Sequence, residues 1–346
     1  MKSNLNKEIA TREFSNSYYK YIGYLPNPDK ILSKTGKSIE IYSNLKNDPH
    51  VWACIQSRKS GLVCLNYEII DNGCENKLLN EVKSIFANLD IHQIERDILE
   101  ALLFGFQPIE IIWNYSKESK QIYPEKLIAK PQEWFVFDMD GNLSSKEHSR
   151  QNSKVPYMKF LNVQYEATYI NPYGNGLLSK CYWPVTFKNA GLKFWVNFTE
   201  RFGMPMLLGQ YTRGSTQDEI QKLADELANM TQDSVIVAPS DIKIEMQEAI
   251  RTTSVELYRD LIKYCNAEIS KALLSQTLTT ELDMGSYAAS QTHFKIRQEV
   301  IESDIRLVEE TFNTLIKYCI DLNHSSKIYP KFRLIVTERK EKIDKI

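Results

Sequence analysis

Several short stretches carry residue types that perform chemistry elsewhere. Thr35-Gly36-Lys37-Ser38 has the closing residues of a phosphate-binding loop. That loop needs another glycine five residues before its last one. Position 31 is Ile31, and no strand pattern precedes it, so the stretch reads as a polar turn. Gly174-Asn175-Gly176 lies ahead of a helical pattern, where backbone N–H groups can cradle a phosphate. No third glycine completes a dinucleotide fingerprint, and a turn feeding the helix start is expected. Asp138-Met139-Asp140-Gly141 hints at a calcium loop. Placing Gly141 at the sixth position puts Val136 at the first, where a carboxylate is required, so a hairpin turn is the better reading.

Cys54, Cys64 and Cys74 are ten residues apart, whereas zinc-ligand pairs are two to four apart. They read as ordinary thiols. His50, His92, His148, His293 and His324 form no HExxH, and no Gly-x-Ser-x-Gly is present. Glu302, Asp304, Glu309 and Glu310 share one helical segment. They support an alternative reading as a metal-dependent nucleic-acid enzyme, set against the commoner use of such residues as a solvated or intersubunit charged face. No catalytic residue, cofactor site or metal site is assigned, and the chain is expected to be non-enzymatic.

Bulk properties narrow the classes. Lys plus Arg number 43 and Asp plus Glu 44, a net charge of −1. A protein that grips nucleic acid usually carries a basic excess, so any DNA contact here is expected to be weak or non-adhesive. No run approaches the roughly 20 apolar residues of a membrane helix. Residues 1–13 lack the apolar core of a signal peptide, which points to the cytoplasm of synthesis. Six cysteines without a CxxC pair suit a reducing compartment.

The elements that position these residues follow from periodicity. Residues 1–46 are polar and read as an arm or a poorly packed lead-in. Asp48-Pro49 is an N-cap with proline at the first helical position, and Val51, Ile55 and Leu62 continue a helical face. Strands are expected at 66–70, 109–113, 134–138 and 158–163. Ile94, Ile98, Ala101 and Leu102 mark a helix closed by Gly105. A long helix spans 177–202, with Trp183, Phe187, Ala190, Phe194, Phe198 and Phe202 at spacings of three and four and a possible kink at Pro184. A small α/β insert follows. It has a strand at 204–211, then a helix with Ile220, Leu223, Ala224 and Leu227 on its inner face. Strands at 234–238 and 242–246 complete it. Helices are expected at 254–274 and 286–322, the latter roughly 55 Å long, with a Thr-rich stretch between them and a last strand at 332–336.

The residues in these elements resemble the Mu-like bacteriophage and prophage portal protein family. The resemblance rests on Asp48-Pro49-His50-Val51-Trp52-Ala53-Cys54-Ile55-Gln56-Ser57-Arg58-Lys59 and on Asn171-Pro172-Tyr173-Gly174-Asn175-Gly176-Leu177-Leu178. It rests also on the run from Phe187-Lys188 through Trp195 to Phe202-Gly203-Met204-Pro205, and on Gly285-Ser286-Tyr287-Ala288-Ala289-Ser290. These pieces occur in the family's order over residues 48–322.

The resemblance implies an α+β phage portal fold. Residues 1–46 would be an N-terminal arm and 47–176 an α/β wing domain. Stem helices at 177–203 and 251–275 would flank a clip at 204–250. A tunnel loop at 276–286 would lead to a long wing helix and closing strand at 287–337, then a charged tail at 338–346. The crown would be short or absent. The implied role is a ring, a homododecamer, at the capsid vertex of the virion, conducting viral DNA in packaging and ejection. Implied partners are the terminase large subunit, scaffold and major capsid proteins, the head-tail connector and, non-specifically, double-stranded DNA, with no cofactor. DNA-channel candidates are Thr277, Thr279, Thr280, Glu281, Asp283 and Lys271. Subunit-interface candidates are Trp183, Phe187, Phe194, Trp195 and Phe198, because an amphipathic helix needs one apolar face and this one carries more. Gln217, Asp218, Gln221 and Lys222 are candidates for terminase contact on the clip. A prophage remnant that folds without assembling is a further alternative.

Overall fold

The computed structural model describes Arg12 and residues 24–146, 155–202, 207–230, 235–241, 251–277 and 287–336. The chain divides into two compact units. The larger takes its described residues from 1–183 and 268–346, the smaller from 184–267.

In the larger unit, order begins earlier than the polar composition suggests. Asp29 accepts from the N–H groups of Ile31 and Leu32 and starts helix α1 (Lys30–Thr35). Helix α2 (Ile41–Leu45) follows, and Tyr42 donates to Asp29 at 2.7 Å. Leu25, Leu32, Tyr42 and Leu45 are buried. The expectation of a poorly packed lead-in over 1–46 is therefore corrected for residues 24–46. Four well-placed apolar side chains anchor a segment whose average composition is polar.

Helix α3 (Pro49–Val63) starts at Asp48, whose carboxylate accepts from His50 and Val51 N–H. Strand β1 (Asn66–Ile70) pairs antiparallel with the distant β9 (Lys331–Ile335). Helices α4 (Asn76–Ala87), α5 (Ile91–Ile98) and α6 (Glu100–Phe104) lead to β2 (Phe106–Ser116). β2 is the centre of an antiparallel sheet ordered β3-β2-β6, with β3 at Gln121–Ala129 and β6 at Phe160–Gln164. A short hairpin, β4 (Phe135–Phe137) and β5 (Leu143–Ser145), turns at Gly141, which has φ 84°. This is the turn expected at Asp138–Gly141.

Besides α1 and α2, β3 and α4 lie outside the sequence expectation. β3 contains Pro124 with Glu125 and Lys126 and shows no clean alternation; it is tolerated because it is an edge strand with a bulge opposite Ile112/Trp113. α4 buries Leu78, Val82 and Phe86, with Leu79 and Ile85 packed beside them.

The Asn171–Gly176 turn owes its glycines to backbone packing. Gly174 (φ 71°) and Gly105 (φ 95°) lie face to face. A Cβ on Gly174 would run into the carbonyl oxygens of Gly105 and Tyr165. Tyr165 N–H donates to Gly105, Asn175 N–H to Tyr165 and Leu177 N–H to Leu102 across this contact. Gly174→Ala should cost on the order of 3 kcal/mol, from the left-handed backbone plus the collision. Urea unfolding measures it, and a loss well under 1 kcal/mol would mean that the two backbones separate freely.

The long helix α10 (Tyr287–Asn323) carries the core. Ile305, Val308, Phe312, Leu315, Ile316, Cys319 and Ile320 are buried among Phe86, Ile98, Ile109, Ile111 and Phe332. Phe312 and Phe332 have centroids 4.4 Å apart, and Phe332 stacks on Tyr67. The helix also closes strand edges with side chains. Asn313 accepts from Phe332 N–H and donates to its carbonyl. Asn323 does the same for Ile122. Glu309 accepts from Leu334 N–H. A second core joins Leu25, Phe106, Phe135, Phe137, Leu143 and Tyr173, where the Tyr173 hydroxyl donates to the Leu25 carbonyl.

One core group is unfavourable. Glu95 on α5 is fully buried; one oxygen is 3.3 Å from His92 Nδ1 and the other has no partner. Burial raises its pKa above the ordinary carboxylate range, with His92 and Arg96 opposing. A raised acid favours the folded state in its protonated form. That contribution is complete below the ordinary carboxylate pKa and is lost as pH rises through the raised value. Glu95→Gln should therefore gain thermal stability over the parent as pH rises from 4 to 7. Melting curves that stay parallel would sink this assignment.

In the smaller unit, β7 (Leu207–Tyr211) and β8 (Val235–Pro239) are parallel, joined through α8 (Gln217–Met230). Parallel pairing requires a crossover, and the helix supplies it. Ile220, Leu223, Ala224 and Leu227 form the half-buried face of α8, and the open face of Gly209 admits Leu227. Helices α7 (Leu178–Phe202, with Pro184 inside) and α9 (Arg251–Leu274) each run from one unit into the other. The strand expected at 242–246 lies outside the described residues.

Candidate functional site

Within the smaller unit, α7 and α9 meet where Gly191 leaves room for Leu261, and Phe198 lies 6.0 Å from Tyr258 between centroids. Large apolar side chains stay exposed around that contact. Phe187 and Phe194 are exposed, Phe194 at 62%, and Leu192 and Val196 are exposed on the other side of the helix. On α9, Leu257 (65%), Leu261 and Tyr264 are exposed at spacings of four and three. Trp183, at the edge of the larger unit, is also exposed, with its ring against Tyr182. Of the interface candidates, Trp183, Phe187 and Phe194 are thus open to contact, while Trp195 and Phe198 are half-buried. The α9 residues were not among the sequence candidates, although the 257, 261, 264 spacing signals them. Clustered exposed apolar side chains of this kind mark interaction sites.

Among the DNA-channel candidates, Lys271 is exposed and paired with Glu268 at 2.6 Å. Thr277 is partly buried. Thr279, Thr280, Glu281 and Asp283 lie outside the described residues. Gln217, Asp218, Gln221 and Lys222 are all exposed on the outer face of α8, where Gln221 donates to Asp225.

The acidic group on α10 is divided among structural partners. Both oxygens of Asp304 are held by Arg58, at 2.7 and 2.8 Å, and Glu309 serves the β9 backbone. Glu302 and Glu310 are exposed. Among the described residues, no three His, Cys, Asp or Glu side chains converge as metal ligands, and no helix is long and apolar enough to cross a membrane. Cys54, Cys181 and Cys319 are buried thiols, the last two pushed up to about 12 by desolvation.

Arg58 is the residue that motif-reading passes over. It sits in the buried stripe Val51, Cys54, Ile55, Leu62 of α3, and Asp304 in the matching stripe of α10. Burial alone depresses a guanidinium, but the Asp304 bonds and charge outweigh it, and Arg58 stays above its ordinary value. A third bond runs from Arg58 to the Leu273 carbonyl, at 2.7 Å. Opposite charges at apolar positions of two helical stripes are the signal a sequence reading can use for such a pair.

Comparison with known proteins agrees with this architecture. A family model described as "Portal protein of Mu bacteriophage" matches residues 39–346. The portal protein of Escherichia phage Mu is 26% identical over 296 residues, covering 82% of this chain and 56% of its own length. Mu-like prophage FluMu protein gp29 of Haemophilus influenzae is 22% identical over 313 residues, covering 86% and 59%. The chain thus spans less than two thirds of these relatives. A chain from the virion of a native gene transfer agent particle shares the fold with a TM-score of 0.59 at 9% identity, over 86% of this chain and 84% of that one. A chain from the neck of an empty particle of the same agent gives 0.57 at 9% identity, over 91% and 86%. With the match running from residue 39 to the last residue of the sequence, the chain belongs to the family of Mu bacteriophage portal proteins.

Proposed function

We propose that this chain is the subunit of a closed ring, a homododecamer, at the capsid vertex, through which double-stranded DNA passes in packaging and ejection. The observation that carries the reading is the exposed apolar surface of α7 and α9, with Phe187, Phe194, Leu257 and Tyr264 uncovered. A closed ring needs two different patches on each subunit, meeting head to tail. A helix pair with apolar residues exposed both around its seam and on the other side of α7, at Leu192 and Val196, offers such patches.

In this reading the larger unit is the wing, α7 and α9 are the stem, and the βαβ insert carrying Gln217, Asp218, Gln221 and Lys222 is the clip that meets the terminase and later the head-tail connector. The Thr-rich segment after α9 faces DNA, and scaffold and major capsid proteins contact the wing. The role is structural, with no chemistry performed on DNA. Charge supports it: duplex DNA carries one negative charge per about 1.7 Å, and a chain of net charge −1 offers little to grip it during sliding. Lys271 is neutralised locally by Glu268 in the same sense. The site of action is the virion, after assembly in the host cytoplasm.

The test is electron microscopy and mass photometry of the full chain co-produced with the scaffold and major capsid proteins of its phage. Rings with a central hole are expected. A chain that stays monomeric under those conditions and cleaves DNA with added divalent metal would overturn the reading.

A further inference from the structure

The end of α9 is held by more bonds than a helix end needs. Ser270 is 2.7 Å from His50 Nε2 and 3.7 Å from the Cys54 sulfur, both on α3. The Leu273 carbonyl, one of the last four that a helix leaves without an internal partner, accepts from Arg58 Nη1. One residue beyond the helix, Ser275 stands at φ 59°, a left-handed conformation that costs a non-glycine residue about 1–2 kcal/mol. Strain of this kind persists only where the surroundings over-determine it. The other arm of Arg58 grips Asp304 on α10 through Nε and Nη2. Gly61, one turn along α3, admits Ile301 of α10 so closely that a Cβ would lie 2.7 Å from its Cδ1. α3 is thereby pressed onto α10 where Arg58 meets Asp304.

We propose that Arg58 is a positioning residue for DNA passage: one guanidinium braces the end of α9, from which the segment between α9 and α10 departs, against the middle of α10. His50 and Ser270 fix the rotation of the last turns of α9, and Arg58 fixes its end. This inference rests on the ring reading above and adds a residue to it. Arginine is required for geometry. A lysine supplies one charge but no planar fork that serves a carboxylate and a carbonyl at once.

The test separates positioning from stability. Arg58→Met with Asp304→Leu replaces the buried pair by apolar groups of similar size, a change that tends to preserve or improve stability. It also removes the bond to Leu273. The double variant should form rings like the parent. Its backbone amides over 270–277 should exchange about tenfold faster by hydrogen-exchange mass spectrometry, as expected for a locally released helix end, and its phage particles should hold DNA in a much smaller fraction. DNA filling equal to the parent, or unchanged exchange at 270–277, would overturn the proposal. Should the double variant fail to fold, R58K carries the same two readouts. Absence of rings and of DNA-filled particles with the unaltered chain would instead refute the ring reading.

Discussion

Asp304→Ala lowers the stability of the larger unit by about 3–5 kcal/mol, the usual consequence of leaving a buried charge without its partner. Arg58 and Asp304 are 8% and 1% exposed, so water does not replace the lost carboxylate. The guanidinium keeps only the Leu273 carbonyl and the neighbouring Tyr165 phenol. Native proteins are stable by roughly 5–15 kcal/mol, so this is a large part of the total. Scanning fluorimetry should show a melting temperature lower by about 10 °C, at the roughly 2–4 °C per kcal/mol of a unit this size. Arg58→Ala should cost a similar amount, and the apolar double replacement should recover most of it. A strictly additive double variant, losing the sum of the two single losses, would show that the two charges do not act as a pair.

Phe187→Glu with Phe194→Glu abolishes rings while leaving the subunit folded. Both side chains are more than half exposed in the isolated chain, so the exchange leaves the buried core intact. In an interface, each large apolar side chain buried is worth about 1.5–3 kcal/mol. The two carboxylates add the cost of burying charge without a partner. Each subunit contact then weakens by about a thousandfold or more, since every 1.4 kcal/mol is a factor of ten. A closed ring repeats that loss at every joint. Mass photometry at micromolar concentration should show monomer, with circular dichroism unchanged. Lys222→Glu on the outer face of α8 is the control, expected to leave rings intact. Rings that survive the double variant would place the subunit contact elsewhere.

Long helices were the most legible part of the chain. The aromatic spacing from Trp183 to Phe202 and the caps at Asp48-Pro49 define α7 and α3 within a residue or two, because periodicity and capping are local properties. The order of helix, small α/β insert and helix follows from the same signals. Residues 24–46 were obscured because four apolar anchors are diluted by polar neighbours. β3 was obscured because an edge strand with one wet face and a proline lacks the two-residue pattern. The exposed apolar surface of α7 was readable as an excess of aromatic residues, but its counterpart on Leu257, Leu261 and Tyr264 depends on where α9 meets α7. The grip of Arg58 on Asp304 spans 246 positions of sequence. Each partner is visible as a charge in an apolar stripe, yet only the fold pairs them.

The asparagines of α10 have a consequence for the chain before it finds its neighbours. Asn313 and Asn323 each present an amide to a strand, giving and taking one bond as another strand would. At Phe332 and Ile122 the sheet is therefore already answered, by a helix. Newly made copies crowded together cannot stitch themselves into a shared sheet at those places, a common route to fibres and precipitate. The side-chain surface of α7 and α9, by contrast, fits only another shaped surface. The same two amides that hold α10 in place thus favour docking between finished subunits over fusion of unfinished ones.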